Sequence, residues 1–213
     1  MLEVIDIDGN GEIDYLGLLT SEYFSPRFPE VLLGSDNVLE VLDWIVEEEI
    51  PSRRRAVVKR AKANPGERPR PARDLYTVSV AEGEVDPFPP LMVVVDEFAE
   101  IMLAGRQVAQ RFEQRVQQVV QTGRSTLVHV VLATQRPDTS VVRSAIKINI
   151  PARVALKLPT HHDSSTVLGR KGAEQLRGLG DLIYQGSDQP QYACKAIACE
   201  PVFGLPYCLE AVE

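Results

Sequence analysis

The sequence predicts an α/β fold built on a mainly parallel sheet, and three observations lead there. Two apolar runs of strand length, LMVVV at Leu91–Val95 and LVHVVLAT at Leu127–Thr134, each end in polar residues. Between them a Gln-rich segment, Arg106 to Gln121, places Val108, Phe112, Val116 and Val119 on one helical face. A third run, LEVIDID at Leu2–Asp8, is β-branched and apolar and is broken by Gly9 and Gly11. Strands that alternate with helices need crossover connections, and crossovers give parallel pairing.

The elements follow in order. After LEVIDID, residues 15–33 are mixed in character, carry Pro26 and Pro29, and read as a loop with short pieces. SDNVLEVLDWIVEEEI then reads as a helix, with Ser35 or Asp36 as its cap and Val38, Leu42, Ile45 and Val46 as its apolar face. Pro51, which has no amide proton, is expected to interrupt it. From Arg53 to Arg73 there are nine Lys or Arg and one acid, Glu67, and the second half, NPGERPRPARD, is Pro-rich. A basic, Pro-rich insertion or loop is therefore expected over about residues 51–90. LMVVV, continuous in its apolarity, is expected to be a central strand covered on both faces. ARVALKL reads as a further strand and DSSTVLG as a short helix capped by Asp163 or Ser164. RGLGD is a turn, and LIYQ and YACKAIAC are the last strands, joined through GSDQP.

Composition narrows the function. A net charge of -7 and a pI near 5.1 exclude a uniformly basic nucleic-acid coat, though not a local basic patch. Cys194, Cys199 and Cys208 are few and odd in number, which favours buried free thiols in a reducing compartment over a disulfide scaffold. No apolar run approaches the roughly 20 residues of a membrane span. His161-His162 hints at metal, but adjacent side chains diverge.

One stretch suggests a different class of protein. In DIDGNGEIDYLG the spacing of Asp6, Asp8, Asn10, Gly11 and Asp14 is nearly that of a calcium-binding loop. Gly17 stands where a bidentate glutamate is needed, and the residues before Asp6 read as strand rather than as an entering helix. A calcium-binding module is thus an alternative, with the end of a core strand the preferred placement.

In open α/β sheets chemistry collects at the carboxyl ends of strands. LMVVV ends in Asp96-Glu97, either acids favoured at a helix N-terminus or a Walker B pair, in which one acid engages Mg2+ through water and the other polarises the attacking water. LVHVVLAT ends in Thr134 and runs into Gln135 and Pro137, so Thr134 and Gln135 sit beside the acids if the two strands are neighbours; a Gln there closes a strand, or hydrogen-bonds the γ-phosphate or its attacking water and senses the phosphate. Taken with their order and separation of about 40 residues, PLMVVVDEFAEIM, VHVVLATQRPDTSVVRSAIKINIPARVAL and DSSTVLGRKGAEQLRGLGDLIYQG resemble the motor core of the FtsK/SpoIIIE family of DNA translocases, within the HerA–FtsK group. The match runs from about Leu91 to Gly186 and more loosely back to Val4.

The resemblance implies a three-layer RecA-like P-loop NTPase fold, a hexameric ring, ATP and Mg2+ as ligands, and double-stranded DNA drawn through the ring. It implies that Asp96 is the Mg2+ acid, Glu97 the catalytic acid, Gln135 the sensor, and Arg124 in TGRSTLVH a finger inserted into a neighbour's site. Arg153 in NIPARV is a second finger candidate or a loop anchor. Arg143 and Lys147 lie where the channel approaches DNA, and Arg53, Arg54 and Arg55 are candidate phosphate contacts or a solvated charge run.

One departure is large. No G-x-x-x-x-G-K-[ST] phosphate loop occurs in the 213 residues, and GRKGAEQ has the wrong order. In the family that loop and its helix precede the strand that EVIDID resembles, so the sequence reads as one incomplete motor domain over 1–213, lacking its first strand, loop and helix. Taken alone it is expected to bind ATP weakly and not to hydrolyse it. A non-catalytic RecA-like subunit that lends Arg124 to a complete neighbour is the other reading. A cytoplasmic setting is expected, with a missing N-terminal half or membrane segment tethering the parent. Chromosome segregation, plasmid transfer and secretion stay open.

Overall fold

The run at Leu91–Asp96 becomes a strand hydrogen-bonded on both sides, and the first of two units is built around it. The computed structural model describes residues 3–8, 32–63, 90–186 and 192–195, which divide into Met1–Arg136 and Pro137–Glu213. In the first unit β1 (Glu3–Asp8), β2 (Leu32–Leu33), β3 (Leu91–Asp96) and β4 (Val128–Leu132) lie parallel in the order β2-β1-β3-β4. Leu91, Val93 and Val95 have no exposure, whereas Met92 and Val94 are half-buried, so among the described residues one face of β3 is covered more fully than the other. Asp6 and Asp8 belong to β1, in register with Val94 and Asp96. A calcium loop would need them in irregular backbone; the rest of that stretch, residues 9–17, lies outside the described residues.

The helix after β2 departs from expectation in three ways. α1 (Ser35–Trp44) begins after Gly34, whose carbonyl accepts the Val38 N–H; neither Ser35 nor Asp36 is the cap, and Asp36 instead sits in the first turn, where the dipole favours it. Pro51 does not end the helix. A π-helical segment, Ile45–Glu49, carries α1 into α2 (Ile50–Ala63), and the Ile50 N–H reaches the Ile45 carbonyl five residues back. The wider turn just ahead of Pro51 relieves the crowding a proline ring imposes on the preceding turn. Residues 51–63 are consequently helix rather than loop, while 64–89 lie outside the described residues.

Beyond β3, α3 (Ala99–Leu103) and α4 (Arg106–Gly123) follow, and α4 packs on α1 and β4. Its buried residues are Ala109, Phe112, Val116, Val119 and Gly123; Val108 is only half-buried, and Ala109 takes the place expected for it. Full burial of a side chain such as Phe112 or Leu42 contributes about 2 kcal/mol relative to exposure. Outside this seam Asp43 pairs with Arg111 and Arg115, and Glu47 with Arg115; such partly exposed pairs orient helices more than they stabilise them.

The second unit is antiparallel. β5 (Arg153–Leu156), β6 (Asp181–Gln185) and β7 (Tyr192–Lys195) are strands, as expected of these segments, but they pair in the order β5-β6-β7 as a sheet of their own rather than as part of the parallel one. The unit also holds α5 (Ser144–Asn149) and α6 (His161–Leu168). Ala155, Leu168, Ala173 and Ile183 form its core, with Leu158, Val167 and Leu176 against it. The cap of α6 is Thr160, not Asp163 or Ser164: the Asp163 N–H donates to the Thr160 hydroxyl. Ser164 is fully buried, donating to the Arg170 carbonyl at 2.7 Å and accepting the Ala173 N–H at 3.1 Å, and so pins the GRKGAEQ turn. Cys194 is half-buried on β7 and forms no disulfide. Cys199 and Cys208 lie outside the described residues.

Candidate functional site

β3 and β4 are neighbours, so the two polar strand ends meet. The ladder runs past β4 itself: the Ala133 N–H donates to the Val95 carbonyl at 2.9 Å and the Phe98 N–H to the Ala133 carbonyl at 3.0 Å. This places Thr134 and Gln135 over the acid pair. The Thr134 hydroxyl donates to Glu97 Oε1 at 2.6 Å, and the Gln135 N–H donates to Glu97 Oε2 at 2.8 Å. Glu97 is 7% exposed and adopts a left-handed backbone, φ 40, that residues with a Cβ seldom occupy. Its own N–H donates to Asp96 Oδ1 at 2.9 Å. Behind the turn Phe98 stacks on Phe112 with ring centroids 6.3 Å apart. A carboxylate has about four acceptor sites, and among the described residues two of those on Glu97 are taken. The Gln135 side chain is exposed and makes no hydrogen bond among the described residues.

Arg124 opens a 3-10 turn, Arg124–Thr126, directly after α4. It is exposed, and its guanidinium has no partner among the described residues. The turn beneath it is held firmly. The Thr126 hydroxyl bonds the Thr122 and Gly123 carbonyls at 3.2 and 3.1 Å. Gly123 packs so closely on Val128 that a Cβ there would collide with the Val128 carbonyl oxygen. Gly123→Ala is therefore expected to destabilise the first unit by about 1–3 kcal/mol; urea unfolding checks this, and a loss near zero would show that the turn yields freely.

Arg53 corrects the reading of the arginine run. Arg54 and Arg55 are exposed, but Arg53 has no exposure. Its Nε pairs with Glu49 at 2.7 Å and its Nη1 donates to the Thr126 carbonyl at 3.2 Å. A fully buried guanidinium bonded to the protein is not presented to DNA, so Arg53 is a strut between α2 and the Arg124 turn.

In the second unit Arg153 donates to the Lys147 carbonyl at 2.7 Å and the Val167 carbonyl at 3.2 Å, the loop-anchoring arrangement. Arg143 precedes α5 and donates to the Ser140 carbonyl at 2.9 Å; Lys147 lies in the last turn of α5, and both are half-buried. Asp96 supplies a strand-end carboxylate, an oxygen donor of the kind Mg2+ takes. Asp96 ends β3 half-buried, with Asp8 in register beside it, and among the described residues no three His, Cys, Asp or Glu converge as a direct cage. No helix among the described residues is long and apolar enough to cross a membrane.

Thr134 and Gln135 lie beside the acids as expected for neighbouring strands. Two features carry no signal in the sequence: the burial of Arg53 and the tight approach at Gly123.

A parallel sheet whose carboxyl edge carries an acid pair against a Thr-Gln strand end has the form of a RecA-like P-loop ATPase, and solved structures of that fold superpose on the chain. The conjugation coupling protein TcpA of pCW3, solved with ATPγS, matches 91% of this chain and 51% of its own at a TM-score of 0.66 and 23% identity. The cytoplasmic domain of the type VII secretion ATPase EccC of Thermomonospora curvata matches 92% of this chain and 21% of its own at 0.68 and 22% identity. These show the fold. The sequence model of the FtsK/SpoIIIE family matches residues 22–139, more than half of the chain, and the chain belongs to that family. The DNA translocase FtsK of Rhizobium meliloti is 40% identical over 104 residues, 48% of this chain and 11% of that protein. That of Bradyrhizobium diazoefficiens is 44% identical over 101 residues, 47% and 12%. The chain thus spans about a tenth of the length of these relatives.

Proposed function

We propose that this chain is part of an ATP-driven double-stranded DNA translocase, of the segregation or conjugative-transfer type. The observation that carries the reading is the junction of Glu97 with Thr134 and Gln135 at the carboxyl edge of the sheet. In the proposed reaction Glu97 takes a proton from water as the water oxygen attacks the γ-phosphorus. The bond to the bridging oxygen breaks, and its electron pair leaves on ADP. Gln135 orients the attacking water or senses the γ-phosphate. Mg2+, when bound, neutralises phosphate charge, and Asp96 holds its water shell. Arg124 serves the site of a neighbouring subunit in a hexameric ring. Both units belong to one motor domain, with the phosphates held by a loop outside these 213 residues, so the chain alone binds ATP weakly and does not hydrolyse it. The motor works in the cytoplasm, with a membrane tether elsewhere in the parent. The FtsK relatives, named DNA translocases, and the conjugation coupling protein support this reading.

Duplex DNA tests it. The complete motor, the polypeptide as its gene encodes it, is expected to hydrolyse ATP faster with duplex and to bind duplex with a steep salt dependence. Replacing Arg54 and Arg55 with alanine, both exposed on α2, should lower the slope of log K against log salt by about 0.9 for each phosphate no longer neutralised. Unchanged binding at every salt would remove α2 from the DNA surface, and hydrolysis indifferent to duplex would reject the translocase reading.

A further inference from the structure

We propose that Thr134 is a positioning residue for Glu97, its hydroxyl acting with the Gln135 amide to set the direction in which the Glu97 carboxylate takes a proton. This rests on the reading of Glu97 as the hydrolytic base. The Thr134 oxygen accepts the Arg136 N–H at 3.0 Å and has a single proton to give, which goes to Glu97 Oε1 at 2.6 Å. The Arg136 bond therefore fixes the rotor, and the rotor fixes the carboxylate. A left-handed backbone at a residue such as Glu97 is strained and survives only where the surroundings over-determine it. Here three bonds do so: one on each carboxylate oxygen and one from the Glu97 N–H to Asp96.

The arrangement also couples sensing to catalysis. Gln135 holds Glu97 Oε2 through its main chain while its side chain stands exposed. A displacement of Gln135 on meeting a phosphate is felt at the carboxylate one hydrogen bond away.

Thr134→Val keeps the shape and removes the donor; Thr134→Ser keeps the donor. In the complete motor the valine variant is expected to lose about 10- to 100-fold in kcat at unchanged KM for ATP, with serine restoring most of it. In parallel, amide exchange at Gln135 should be slow in the wild type and the serine variant and faster in Thr134→Val. Wild-type kcat in Thr134→Val, or a loss that serine does not repair, overturns the proposal. Should wild type hydrolyse no ATP, or Glu97→Gln run at the wild-type rate, the parent reading fails. Exchange at Gln135 then decides the contact: protection lost only in the valine variant upholds it, and equal exchange in all three overturns it.

Discussion

Glu97→Gln is expected to lower the duplex-stimulated turnover of the complete motor by about 10²- to 10⁴-fold, the range lost with a general base. The change is nearly isosteric, and its hydrogen bonding can be followed atom by atom. The Gln135 N–H can only donate, so the new side-chain carbonyl must face it, taking the place of Oε2. The new NH2 then faces the Thr134 oxygen; that oxygen stays held by the Arg136 N–H and accepts on its second lone pair, while the hydroxyl proton, its acceptor gone, turns away. The turn is kept and the proton acceptor is lost. Mg-ATP binding should therefore survive while turnover collapses, as titration calorimetry beside steady-state kinetics can establish. Turnover within about threefold of wild type would show that the base lies elsewhere.

Arg124→Ala should cost about 10³-fold or more in turnover, the scale of a lost arginine finger. The case rests on an exposed guanidinium with no partner among the described residues, standing on a turn clamped by Gly123, Thr126 and Arg53. A rigid base lets the charge be presented without ordering cost when a neighbour's phosphate arrives. Lysine should not rescue it, because an ammonium cannot bridge two phosphate oxygens as a planar fork does. Mixing is the decisive measurement. Arg124→Ala subunits still carry Glu97, and Glu97→Gln subunits still carry Arg124, so hybrid rings contain interfaces with both groups intact. Activity regained on mixing two inactive variants is the expected outcome; no regain places Arg124 outside the neighbouring site.

What could be read locally concerned runs of contiguous residues. LMVVV and LVHVVL are long enough and apolar enough to be strands, and the face of Phe112, Val116 and Val119 repeats at the helical period. The acid pair and Gln135 followed from their places at strand ends. Elsewhere local rules were overruled. Pro51 should break a helix, but five residues of π-helix ahead of it absorb the crowding. Asp163 and Ser164 are good caps in isolation, yet Thr160 stands one turn earlier and leaves Ser164 to hold a buried turn.

Arg53 shows where sequence stops deciding. Beside Arg54 and Arg55 it is one more cation in a basic stretch, and intrinsic chemistry does not separate the three. Its burial depends on a carbonyl 73 residues away, at Thr126, and the hold on Glu97 depends on a hydroxyl 37 residues away, at Thr134. Neighbouring residues alone are enough to set strand length, helical faces and the chemical type of the site. Which arginine is a strut, which stays exposed, and how the Glu97 carboxylate is held are fixed when distant backbone carbonyls and hydroxyls come within hydrogen-bonding range. A hydrogen bond acts over about 3 Å, and only the folded chain determines which groups come that close.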